Sequence, residues 1–175
     1  MCSKIPAEME AAAVNIWTER LQENHIPILE NWAGRNSGAL TKSDFPTDKA
    51  QLLNWYNVCA ANPKRQDYIV LAYDTPVGIT GLLKPDADFP ELQFYLRLGE
   101  TNYNLIRTAT YATLQMLDRA FQDFDCKYVV TQINAVNTLF SDVLKQMGFY
   151  LKAEQNGRFA VAIEKDMFLK RKYLF

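Results

Sequence analysis

Residues 91–133 constrain the fold of this chain more than any other stretch. Residues 91–98 (ELQFYLRL) alternate between polar and apolar side chains, the pattern of a strand with one buried face. A helix over about 104–124 follows, with Leu105, Ala109, Ala112, Met116 and Ala120 as one stripe and Leu114, Leu117, Phe121 and Phe124 as a second. Residues 128–133, carrying Tyr128, Val129, Val130 and Ile133, read as another strand. A strand–helix–strand crossover of that length makes its two strands parallel neighbours in one sheet.

The rest of the chain surrounds that crossover with antiparallel pairs. A strand is expected over 15–21, a helix over 24–32 that tolerates Pro27 in its first turn, a loop over 34–46, and a helix through residue 61 capped by Thr47. Strands over 68–73 and 77–83 form a hairpin around Asp74, Thr75 and Pro76, and 84–90 is a further turn segment. After the crossover, Val136, Leu139, Phe140, Val143, Leu144 and Met147 follow one helical face, which stops at Gly148-Phe149. Strands over 148–154 and 158–165 join through Gln155-Asn156-Gly157, a strong hairpin signal. The expected fold class is α/β: a mixed, mostly antiparallel central sheet with helices on both faces and one parallel strand pair. One domain spans 1–175, with 1–13 a loose arm or short helix and 167–175 a tail.

Composition removes several function classes. The net charge of −1 gives no broad field to draw the chain to nucleic acid or a membrane, and three consecutive cations, Lys170, Arg171 and Lys172, are too few to suggest nucleic-acid binding. No apolar run reaches transmembrane length, and Glu8 and Glu10 argue against a signal peptide. Cys2, Cys59 and Cys126 are odd in number and widely spaced, which favours a reducing compartment, the cytoplasm. A single histidine, His25, argues against a His/Cys metal cluster and a His-based triad.

The order of elements over residues 14–166 resembles that of the GNAT acetyltransferase superfamily, the acyl-CoA N-acyltransferase fold. The strongest match is Asn134-x-x-Asn137 followed by a helix and Gly148-Phe149. The helix carrying Trp55 ahead of VGITGL looks closest to the branch of ribosomal-protein N-terminal acetyltransferases. The resemblance implies that the parallel strands splay and that acetyl-CoA lies in the wedge between them. The pantetheine arm would then run along 94–98, including Leu96 and Leu98, with the pyrophosphate at the loop and helix start. The family's pattern there, Gln/Arg-x-x-Gly-x-Gly/Ala, falls on 104–109 (NLIRTA), which points to Asn104, Arg107, Thr108 and Ala109. Arg107 stands where the family has Gly, and either blocks the phosphate or pairs with it. Asn134 and Asn137 either bond the pantetheine amides or, for Asn137, cap the helix.

The implied reaction moves an acetyl group from acetyl-CoA to a primary amine of a small molecule or a protein N-terminus. A carboxylate that takes the amine proton is needed, and Glu91 is the candidate, with Tyr95 as the group that protonates the leaving thiolate. The family's usual hydroxyls on the last helix fall on Leu144 and Phe140, which have none. That substitution motivates the alternative, a non-catalytic acyl-CoA-binding or interaction protein of the same fold. Trp17, Trp32 and Trp55 pack in the core or line the acceptor cleft, and Cys126 is an inert thiol. The apolar end Tyr173-Leu174-Phe175 suggests a homodimer contact.

Overall fold

A computed structural model describes residues 15–34, 46, 48–85, 90–124 and 126–175. The expected N-terminal arm, the Thr47 cap and most of the 34–46 loop lie outside the described residues. The strands are β1 (Ile16–Arg20), β2 (Arg65–Ala72), β3 (Thr75–Leu83), β4 (Glu91–Leu98), β5 (Tyr128–Asn134), β6 (Tyr150–Gln155) and β7 (Arg158–Glu164). They form one seven-stranded sheet in the order β1-β2-β3-β4-β5-β7-β6, in which only β4 and β5 run parallel. The helices are α1 (Ile26–Gly34), α2 (Lys49–Ala60), α3 (Leu105–Asp123), α4 (Thr138–Met147) and α5 (Lys165–Arg171).

Local chemistry sets several boundaries differently from the expectation. Asp48 caps α2, its carboxylate accepting from the Gln51 amide at 2.9 Å. The first hairpin turns at Tyr73-Asp74, both at positive φ, so Thr75 and Pro76 belong to β3 and a bulge opposite Val70/Leu71 absorbs the shift. Asn156 and Gly157, also at positive φ, make the second hairpin as the Asn-Gly signal predicts. Val136 is 84% exposed and lies outside α4, because Asn137 caps the helix one residue later. Gly148 ends α4 at φ 101°, a left-handed conformation that a side chain would strain. The tail forms α5, whose Phe168 stacks on Phe121 of α3 at 5.5 Å.

Two cores sit on opposite faces of the sheet. The larger joins Leu92, Phe94, Leu96 and Leu98 of β4 to Ala109, Ala112 and Met116 of α3 and to Phe140, Val143 and Leu144 of α4. The smaller joins Ile69, Leu71 and Ile79 to α1 and α2, with Trp17, Trp32, Trp55 and Tyr95 packed at its edge. The alternation of β4 thus sends its even residues to the α3 side and Tyr95 to the α1/α2 side.

Candidate active site

The parallel pair separates after three residues. Glu91, Leu92 and Gln93 pair with Tyr128, Val129 and Val130, and there the ladder ends. β4 continues to Leu98 on β3 alone, and β5 continues to Asn134 on β7 alone. Two strand edges therefore face each other without bonding, and their peptide groups need a partner inside the gap. Leu96 and Leu98 stand on this open half of β4. Their side chains are buried in the α3 core, so contact with a ligand in the gap falls to their backbone.

The open half leads to the N-terminus of α3. Gly99 and Glu100 both donate their amides to the Val77 carbonyl, at 2.8 and 3.2 Å, which folds the loop back onto β3. Asn104 caps the helix: its side chain accepts from the Arg107 amide at 3.0 Å, and its carbonyl from the Thr108 amide at 2.9 Å. The amides of Leu105 and Ile106 stand ahead of that first intrahelical bond, at the positive end of a 19-residue helix. The side chains of Thr108 and Ala109 are buried, so neither presents a side chain to a phosphate. The Arg107 side chain is partly exposed in the same turn.

Phe140 (4% exposed) and Leu144 (1%) fill the large core beside the wedge. The described part of α4 brings no hydroxyl there. Ser141 lines a groove of about 240 Å³ together with Ile133, Leu144, Lys145, Leu151 and Phe159. Asn137 caps α4 through the Phe140 amide at 3.2 Å, and Asn134 accepts from the Val136 amide at 3.2 Å. The two Asn side chains shape the β5–α4 turn.

Side chains of the larger core fill the α3 side of the wedge, and the α1/α2 side is its other face. Glu91 lies on this side at the closed end of the wedge and forms an ion pair with Lys152. The Tyr95 ring lies across Gly81, where an added Cβ would meet it at 2.4 Å. Its hydroxyl donates to Asp67 on β2 at 2.5 Å. The hydroxyl therefore points toward β2, away from β5. Asp67 is buried and also accepts from Arg65 Nε at 2.8 and 3.1 Å. Burial, then the Asp67 charge, hold the Tyr95 hydroxyl well above its ordinary range. Burial works against the Arg65 charge, but the bonds and charge of Asp67 overcome it and keep the guanidinium protonated. Arg65 lies over the rings of Trp55 (5.3 Å) and Tyr95 (5.7 Å), and Arg97 over Tyr95 at 5.6 Å. Burial pushes the neighbouring Cys59 thiol up to about 11, so it is no nucleophile.

Trp32 of α1 covers Gly99, leaving no room for a Cβ, and its indole donates to Glu100 at 2.8 Å. α1 is thereby pinned to the loop that leads into α3. Sequence reasoning missed the Arg65–Asp67–Tyr95 network and the Trp32–Glu100 bond. The first had a signal: Arg65 and Asp67 are charges two apart at the start of a strand that is apolar from Tyr68 onward, and they pair with the glycine-containing strand β3.

A mostly antiparallel sheet whose one parallel pair opens toward a helix N-terminus defines a GNAT-type fold. The chain matches the acetyltransferase (GNAT) domain family over residues 8–150, and it belongs to that family. No curated protein matches it in sequence. The fold is similar to that of spermidine N-acetyltransferase from Vibrio cholerae in complex with CoA and spermine. That likeness has a TM-score of 0.77 at 13% identity and covers 89% of this chain and 98% of that one. An uncharacterized protein from Bacillus halodurans is similar at TM-score 0.75 and 14% identity, covering 90% and 88%. Family and fold place the chain among acetyl-CoA-dependent N-acetyltransferases.

Proposed function

We propose that this chain, as a single GNAT-like domain, moves an acetyl group from acetyl-CoA in the β4/β5 wedge to the primary amine of a small molecule. The observation that carries this reading is the end of β4–β5 pairing after Gln93–Val130. The unpaired edge of β4 around Leu96 and Leu98 suits the amides of the pantetheine arm. The α3 N-terminus, with Asn104 as its cap and the backbone leading to Thr108 and Ala109, suits the pyrophosphate. Arg107 adds a cation at that end, where it pairs with phosphate. Asn134 and Asn137 hold the far wall of the wedge in shape. Acetyl-CoA supplies the activated acyl group, and Glu91, on the acceptor side, receives the amine proton through water. The thiolate leaves without a tyrosine acid, since thiols are far more acidic than alcohols.

The Vibrio cholerae structure named above is a spermidine N-acetyltransferase in complex with CoA and spermine, which favours a small-molecule amine over a protein N-terminus and over the ribosomal-protein branch. The Vibrio cholerae enzyme is dodecameric. For this chain we propose self-association through the exposed Tyr173 and Leu174, tested by sedimentation. The odd cysteine count and the burial of Cys59 and Cys126 favour the cytoplasm. Among the described residues, no helix is long and apolar enough to cross a membrane.

Release of CoA thiol over a panel of amines tests the reaction. Turnover of any amine supports it. Acetyl-CoA binding without turnover of any amine supports instead the non-catalytic reading, which the buried Phe140 and Leu144 favour.

A further inference from the structure

The parallel ladder ends at Gln93–Val130, so Thr131 is the first β5 residue in the open part of the wedge. Along β5 the buried side chains are Val129, Thr131 and Ile133, the alternate residues of one face. Val129 and Ile133 belong to the larger core with Phe140 and Leu144 of α4. Thr131 therefore stands on the α4 side of the sheet and puts a hydroxyl beside the wedge, on the face where α4 brings none.

Other buried threonines satisfy their hydroxyls. Thr80 donates to the Tyr95 carbonyl at 2.6 Å, and Thr18 donates to Gln115 at 3.1 Å. Thr131 is 4% exposed, and among the described residues its hydroxyl has no hydrogen-bond partner. Thr113 of α3 also lacks one, but it is sealed in the helix layer, whereas Thr131 borders the gap. A buried hydroxyl without a partner is a cost that a valine of the same shape would avoid. With phosphate at the α3 N-terminus and the arm on the edge of β4, the reacting end lies toward Gln93, where the strands close and Thr131 stands.

Resting on the acetyl-transfer reading, we propose that Thr131 is a catalytic residue whose hydroxyl donates a hydrogen bond to the CoA sulfur and stabilises the leaving thiolate. As the amine nitrogen bonds to the acetyl carbon, the carbon–sulfur bond breaks and its electron pair stays on sulfur. The amine proton goes to Glu91 through water. Thr131 keeps its own proton and shares it with sulfur, because an alcohol is a far weaker acid than a thiol. Thr131→Val should lower kcat about tenfold, the size of one lost bond to a charged group. The acetyl-CoA dissociation constant should not change, and the melting temperature should not fall. Thr131→Ser should recover most of the rate. A second readout needs no turnover: calorimetry of CoA and of its S-methyl thioether, which cannot ionise, at about pH 7 and about pH 9.5, either side of an ordinary thiol's value. CoA should gain several-fold in affinity over the thioether at the higher pH, because a thiolate accepts a hydrogen bond more strongly than a thiol. Thr131→Val should lose most of that gain. An unchanged kcat or the same gain in Thr131→Val overturns the inference alone. A lower melting temperature in Thr131→Val also overturns it, by assigning the hydroxyl a structural bond. If CoA binds and no amine is turned over, the titration decides. Failure to bind CoA and acetyl-CoA overturns the reading beneath.

Discussion

Asp67 shows how one side chain fixes a face of this sheet. It is a buried carboxylate that accepts from both a guanidinium and a phenol, and the glycine at position 81 gives the Tyr95 ring room to reach it. Asp67→Ala leaves the partly exposed Arg65 without its counter-ion and the Tyr95 hydroxyl without its acceptor, so urea unfolding should show a loss of about 1–3 kcal/mol. Asp67→Asn, which keeps the bonding shape, should lose less. The Tyr95 hydroxyl is raised in the folded state, so the native protein holds its proton when the unfolded chain has released it. Stability from this group is therefore fully present below about pH 10, the unfolded tyrosine value, and falls as pH rises beyond it. Spectrophotometric titration should find Tyr95 among the tyrosines that ionise late, and Tyr95→Phe should remove one late-ionising group.

At the scale of elements, the crossover over residues 91–133 was readable because its apolar period switches from two to 3.6 and back. Boundaries decided by one hydrogen bond were less readable. Asn137 was an open choice between cap and ligand, and the Phe140 amide takes its oxygen, which leaves Val136 outside the helix. Pro76 looked like turn and is strand, because the positive φ at Tyr73 and Asp74 already reverses the chain. The site was legible as backbone and much less so as side chains. Tyr95 sits on the expected strand, but the direction of its hydroxyl depends on Asp67, 28 residues earlier, and on the missing side chain at Gly81. Such long-range pairings leave only a faint trace in a single sequence. The start of α3 carries its own prediction. If Arg107 pairs with phosphate, Arg107→Gly should weaken acetyl-CoA about tenfold by calorimetry. Tighter binding would show that the side chain obstructs the site.

For the whole molecule, two cores of unequal size divide the labour. The larger, on the α3/α4 side, closes one face of the wedge, and on the proposed reading the other face, beside the smaller core, takes the acceptor. On that reading the base lies at the closed end, where Glu91 meets Lys152. Glu91→Gln should lower kcat by about 100-fold in a CoA-release assay and leave acetyl-CoA affinity unchanged. An equal loss of affinity would assign Glu91 to holding the strands together. All of this rests on the gap between β4 and β5 being a cofactor site, and calorimetric titration with acetyl-CoA tests that claim most directly. One binding site per chain, with a rise in melting temperature on saturation, is the predicted result. No heat and no thermal shift at millimolar acetyl-CoA would contradict it.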